Sequence, residues 1–182
     1  MIGKRCEIHP NTTVGKEGYG YSHDEKGNHY KIPHQGRVVL EDDVHIGSIC
    51  AIDRGTFHET RIGAGTRIDN HCHLAHNTIV GRNGLITAGF IVAGSTTIGD
   101  NFVVGGNTSV AGHIEICDNV QIAGVSVITK SITAPGKYGG SPLEPLQQYL
   151  KTKASLRNVV AMRKQIKKIS QHLGLTMESE AE

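Results

Sequence analysis

The sequence predicts an all-β chain wound as a parallel β-helix, because an aliphatic residue returns every six positions, corner-forming residues follow at fixed offsets, and large side chains are scarce. From Ile62 the series runs through Ile68, Leu74, Val80, Ile86, Val92, Ile98, Val104, Val110, Ile116 and Ile122 to Ile128 without a slip. Six is neither a helical period nor that of an alternating strand. It fits a short strand and a turn, repeated so that each aliphatic points inward. A longer period of eighteen, three hexads to a coil, appears in Gly65, Asn83, Asn101 and Asn119, each three residues after an aliphatic that opens a coil. Glycine and asparagine best tolerate the positive φ of a sharp corner. With 23 glycines, no Trp and 4% aromatics, the composition suits a core of small β-branched residues better than a sandwich or an α/β sheet.

Taken in order, Ile8 and Val14 read as a short opening fragment. Residues 16–37 (KEGYGYSHDEKGNHYKIPHQGR) break the pattern and are expected to loop out. A loop of that length in a compact domain is usually functional or disordered. Its Tyr19, Tyr21 and Tyr30 either pack over a substrate or belong to a cover for the edge of the first coil. Leu40, Ile46 and Ile52 resume the six-residue step, and four extra residues within 53–61 push Ile62 out of register. After Ile128 the repeat is expected to end in the Pro/Gly-rich connector TAPGKYGGSPLEP. Residues 146–173 then carry Leu146, Leu150, Leu156, Val159, Val160, Ile166, Ile169 and Leu173 at helical spacing. The expected division is a β-helix over 1–142 with the inserted loop 16–37, a helical segment over 143–176, and an acidic, disordered tail over 177–182.

Cys6, Cys50, Cys72 and Cys117 show no CxxC spacing, which argues against a zinc or disulfide framework and for reduced thiols in a cytoplasmic protein. The opening MIGKRCEIHP lacks the apolar stretch of a secretory signal, and no run approaches the roughly 20 apolar residues of a membrane span. Residues 146–173 bear Lys151, Lys153, Arg157, Arg163, Lys164, Lys167 and Lys168 with no Asp or Glu. Such a surface suits an acidic partner such as a carrier protein. It also reads as a solvated helix closing the end of the β-helix. Nucleic acid is a poor fit, since interleaved aromatics are missing.

Residues eighteen apart stack about 4.8 Å from one another in adjoining coils. One column runs His76, Gly94, Gly112, Lys130: a titratable base, two positions without side chains, then a cation. That predicts a groove with exposed backbone N–H groups beside an imidazole, fit for an extended acyl or pantetheine arm. The adjacent column is Asn77, Ser95, His113, Ser131, so His113 stands roughly 10 Å along the axis from His76. Asp69 precedes His76 around a corner and could orient an imidazole across a subunit interface more easily than within one chain.

The stretches IDNHCHLAHNTIVG, AGFIVAGSTTIG and AGHIEICD, with GYGYSHDEKGNHYKIP, IGSICAIDRGTF and SITAPGKYGGSPLEP, resemble the lipid A pathway UDP-3-O-acylglucosamine N-acyltransferases over residues 6 to about 170. The resemblance implies a left-handed helix and a homotrimer with active sites in the clefts between subunits. It makes His76 the general base, Asp69 its orienting carboxylate and Asn70 a neighbouring site residue. It places the oxyanion-binding N–H at Gly94 and a second active-site histidine at His113. Lys130 falls where the family uses an arginine toward the acyl carrier, so charge is kept and the guanidinium fork is lost. The family's N-terminal uridine-holding domain and early coils have no counterpart in the sequence. The expected activity is acyl transfer from an acyl carrier protein thioester to the amine of a nucleotide-linked amino sugar. Gly112, Tyr19 and Tyr21 would line the substrate, and Lys130, Lys151, Lys153 and Arg157 would face the carrier. No permanently bound cofactor or metal is expected, only the donor's phosphopantetheine thioester, or alternatively acyl-CoA. Competing expectations are an acetyl-CoA-dependent N-acetyltransferase and a non-catalytic relative. A metal hydrolyase prompted by His71, His73 and His76 is disfavoured, because the required ligand spacing is not reproduced.

Overall fold

Every aliphatic of the unbroken series, from Ile62 to Ile128, is buried in the computed structural model, which describes residues 1–139, 151–152 and 154–173. The chain divides into two units, Met1–Ser141 and Pro142–Glu182. The first is a left-handed parallel β-helix whose strands are mostly two residues long. They stack into three parallel sheets of seven, six and five strands, typified by Arg67–Ile68, His73–Leu74 and Ile79–Val80 respectively.

The register is the one that the eighteen-residue period demands. Leu85 lies beside Val103, Ile91 beside Ser109, and Ile79 beside Thr97. Below this, Leu40 pairs with Ile62, His45 with Arg67 and Ala51 with His73, each four residues more than eighteen apart. The surplus emerges between the strands Ala51–Asp53 and Glu59–Ile62. Corner residues take left-handed φ as expected: 76° at Gly65, 55° at Asn83, 58° at Asn101 and 60° at Asn119. The same conformation recurs at the other corners, where His71, Asn77, Ser95 and His113 hold it. The Asn101 Nδ2 donates to Asn119 Oδ1 at 3.0 Å, tying adjacent coils together.

Two aromatics fill the centre. Phe90 and Phe102 are fully buried with ring centroids 6.0 Å apart. Both stand where neighbouring coils carry smaller side chains, so truncation leaves a void that the stacked backbone cannot collapse into. Phe90→Ala is expected to cost about 3–5 kcal/mol, measured by denaturant unfolding of the variant beside the parent.

Two expectations need correction, and the inserted loop gains detail. The opening is a full rung rather than a fragment: Ile2 bridges Leu40, Glu7–Ile8 pairs with His45–Ile46, and Thr13–Lys16 pairs with Ala51–Asp53. The helix also continues beyond Ile128. Ile132 bridges Ile116, and Gly136–Tyr138 pairs with Val120–Ile122. Those partners are sixteen apart, so two residues are missing from the last coil and the six-residue count fails where the winding does not. Finally, the segment expected to loop out contains a hairpin, Tyr21–His23 against His29–Lys31. Its turn closes on Asp24, whose carboxylate accepts the N–H groups of Lys26 and Asn28, the Asn28 side-chain amide and the Tyr30 hydroxyl. Bonding to Asn28, above all, holds the Asp24 carboxyl below the usual carboxylate range.

In the second unit an α-helix, α1, spans Val159–His172 with no buried residue and no acidic residue in its first turn. The expected helical span over 143–150, Lys153 and the tail over 177–182 lie outside the described residues. No helix among the described residues is long and apolar enough to cross a membrane.

Candidate active site

At some other corners the middle residue has its N–H capped by a side chain one coil further along, whereas Ala88, Gly106 and Gly124, after the first sheet, carry no such cap among the described residues. Asp100 Oδ1 accepts from the Arg82 N–H at 2.7 Å, Asp118 Oδ1 from the Asp100 N–H at 2.7 Å, and Asn70 Oδ1 from the Ser48 N–H at 2.8 Å. At the corner following the second sheet, the middle residues are His76, Gly94, Gly112 and Lys130. Glycine offers no cap and lysine only donates. Among the described residues, the N–H groups of His76, Gly94 and Gly112 accordingly meet no acceptor. The glycine column thus creates a row of unspent donors along one edge of the solenoid. Such a row can receive carbonyl oxygens or a developing oxyanion.

The imidazole of His76 lies against Gly94. A Cβ at position 94 would come within 2.6 Å of Cε1, 2.8 Å of Nε2 and 3.0 Å of Nδ1. The space expected as an open groove is therefore filled on its first rung by the imidazole itself, and the opening begins at Gly112. There a Cβ would be tight only against Gly94 O at 3.0 Å, with Ala93 Cβ at an ordinary 3.5 Å. From the other side the inserted loop closes down. A Cβ on Gly18 would stand 3.0 Å from His76 Cβ and 3.1 Å from Cδ2, and the His34 ring meets the His76 ring edge to face at 5.0 Å. His76 Nδ1 is buried without a hydrogen-bond partner.

His113 shares this corner two coils away, exposed, with φ of 60° and its N–H donating to Gly94 O at 3.1 Å. Asp69 and Asn70 lie at a different corner, after the first sheet. Asp69 Oδ1 accepts from the Asn70 N–H at 2.7 Å and from its side-chain amide at 2.8 Å, with no bond to His76. They line a cavity of about 540 Å³ with His9, His45, Arg67 and Leu85. Lys130 borders a second cavity of about 580 Å³, with Val125, Val127, Ile132 and Tyr138. Tyr19 is 84% exposed and stacks obliquely on Tyr21 rather than over His76, so neither tyrosine covers the imidazole within the chain. Lys151 and Arg157 are exposed in the second unit. His71, His73 and His76 fall on a corner, a strand and another corner, and no group of three or more His, Cys, Asp or Glu could hold a metal among the described residues. Cys50 and Cys72 are buried free thiols in the core.

Sequence reasoning overlooked the residues that join the loop to the site: Gly18, His34, Lys16 and Asp53. Asp53 is buried beside Ile52, 2.5 Å from Lys16 Nζ and 3.8 Å from His73 Nε2. The available signal was Gly18 and Gly20, small residues where the loop approaches a histidine; a Cβ on Gly20 would lie 2.7 Å from His34 Cε1.

No family model matches the chain. Among curated proteins it is 43% identical over 158 residues to UDP-3-O-acylglucosamine N-acyltransferase of Wolinella succinogenes, covering 87% of this chain and 50% of the relative. The enzyme of that name from Methylobacterium nodulans is 39% identical over 161 residues, 88% of this chain and 46% of the relative. That of Helicobacter hepaticus is 43% identical over 152 residues, 84% and 47%. The chain spans about half the length of the curated relatives it matches. Two solved structures share the fold. UDP-N-acetylglucosamine O-acyltransferase from Moraxella catarrhalis has a TM-score of 0.65 at 24% identity, covering 78% of this chain and 60% of that one. UDP-N-acetylglucosamine acyltransferase from Francisella novicida has a TM-score of 0.66 at 20% identity, covering 84% and 55%. The chain is a homologue of the UDP-3-O-acylglucosamine N-acyltransferases, matched over most of its own length and about half of theirs.

Proposed function

We propose that this chain is an N-acyltransferase that moves an acyl group from an acyl carrier protein thioester to the amine of a nucleotide-linked amino sugar in lipid A synthesis, acting in the cytoplasm as a homotrimer. The observation that carries the reading is an imidazole seated on Gly94 beside N–H donors that have no acceptor. The amine nitrogen attacks the thioester carbon while His76 takes its proton, as imidazole is suited to do near neutral pH. The carbonyl oxygen becomes an oxyanion held by the Gly94 N–H. The C–S bond then breaks, and the proton passes from His76 to the departing thiolate. Amide and free thiol are the products, and no covalent enzyme intermediate forms.

His76 Nδ1 has no partner among the described residues, and Asp69 sits at a different corner. In a trimer packed side by side, Asp69 of a neighbouring copy would approach the His76 ring and stabilise the imidazolium, as a carboxylate does in a catalytic triad. His113 and Asn70 would then contact substrate from the two walls of the cleft, with the extended donor arm running past Gly112 toward Lys130. The homology to named N-acyltransferases supports the choice of amine acceptor.

The absence of acidic residues from α1 and its approach supports carrier docking, with Lys151, Lys153 and Arg157 contributing. Charge complementarity mainly raises the encounter rate and is screened by salt. Turnover of an acyl carrier thioester is therefore expected to lose about tenfold in kcat/KM as salt is raised, and a comparable amount in Lys151→Glu/Arg157→Glu. Turnover of acyl-CoA is expected to change little. Exclusive use of acetyl-CoA, with no salt dependence, would replace this reading with that of an N-acetyltransferase.

A further inference from the structure

We infer that His34 is a positioning residue for His76, acting as a lone-pair partner that stabilises His76 once it is protonated. This rests on the general-base reading above. His34 comes from the inserted loop, yet it is only 3% exposed, and its ring packs edge to face on His76 with centroids 5.0 Å apart. Its Nδ1 lies 2.9 Å from Ile32 O. A carbonyl can only accept, so Nδ1 carries the hydrogen and, in the neutral ring, Nε2 keeps its lone pair. That Nε2 is buried and has no hydrogen-bond partner. It lies on the Gly18 side, where a Cβ would be 3.1 Å from both His34 Nε2 and His76 Cδ2. A buried acceptor left unpaired is costly unless it serves a charge that appears during the reaction. Protonation of His76 supplies that charge next to it.

The loop is anchored for the purpose. Glu17 accepts the His34 N–H at 3.2 Å and pairs with Lys31 across the hairpin base. Bonding from Lys31, then from the His34 N–H, holds the Glu17 carboxyl below its ordinary range, so the anchor persists at neutral pH. Gly18 lets the loop descend until the rings touch. The titratable and charged groups around His76 are Glu17, Lys31 and His34 on the loop, and Lys16, Asp53 and Arg54 on the coil below. His73 on its own coil, His113 two coils away and, in the proposed trimer, Asp69 of a neighbouring copy are also near. Only His34 among these contacts the His76 ring as an aromatic pair.

The test compares His34→Phe, which keeps ring and volume without a lone pair, with His34→Gln, which keeps an acceptor without the ring. In the full chain, His76 is titrated by histidine NMR, its resonance assigned with His76→Ala, and kcat/KM is followed against pH. His34→Phe should lower the His76 midpoint and the acid limb of the profile together by about one unit. It should reduce kcat about fivefold with little change in KM, while His34→Gln restores both. A His76 midpoint unchanged in His34→Phe, or a Gln variant that titrates like Phe, overturns the inference. Full activity in His76→Ala would instead overturn the general-base reading, and the NMR titration would still decide whether His34 stabilises the His76 cation.

Discussion

His76→Ala is expected to lower acyl transfer by about a thousandfold while leaving the β-helix folded. The imidazole is half-buried on the outside of a corner, and its removal empties no core position: the column beneath the strand is filled by Leu74 and Thr78 on either side of it. What is lost is the group that takes the proton from the attacking amine. Without it, the tetrahedral adduct must expel either a protonated amine or a thiolate with no proton donor at hand. Thioester consumption measures the first effect and thermal unfolding the second. A variant that turns over like the parent would leave the uncapped N–H row as a binding edge without a base.

Gly94→Ala is the second large effect, and it is steric. The added Cβ would lie 2.6 Å from His76 Cε1 and 2.8 Å from Nε2, so the imidazole must swing off its seat. A displacement of about 1 Å at a reacting group costs on the order of a hundredfold. The loss should fall on kcat, because the donor's binding edge at Gly112 is untouched. Gly112→Ala supplies the comparison. Its Cβ would crowd Gly94 O at 3.0 Å without touching the imidazole, so it should weaken donor binding, seen in KM, more than turnover. Equal damage to kcat from both substitutions would mean that the glycines serve the turn rather than the histidine.

The winding was legible because a solenoid turns three-dimensional proximity into arithmetic. Once the aliphatic at every sixth position is taken as buried, Gly94 must stack on His76, and His113 must fall on the same edge two coils on. Asp69 could likewise be placed at another corner before any coordinate was known. The same arithmetic failed where residues were inserted or lost. The last coil is two residues short, so the six-residue count stopped at Ile128 although Ile132 and Tyr138 still pair with the coil beneath. The inserted loop has no period at all. Its three tyrosines drew attention as large side chains, yet the residue that reaches the site is His34, held by a glutamate seventeen positions away and a backbone carbonyl two positions away. Contacts of that kind depend on how the hairpin folds back, which no local pattern encodes. The uncapped N–H groups were half legible: the missing side chains could be read, but the capping role of Asp100, Asp118 and Asn70 at some other corners appeared only in three dimensions.

The most direct trial is a crystal structure of the protein with an acyl-pantetheine thioether, in which a methylene prevents transfer. The thioester-mimicking carbonyl should lie within hydrogen-bond reach of the Gly94 N–H, its carbon facing His76 Nε2, and the pantetheine arm should run along Gly112. Density for the analogue at a different corner, or a neighbouring subunit's side chain filling the space between His76 Nε2 and Gly112, would contradict an acyl-transfer site there.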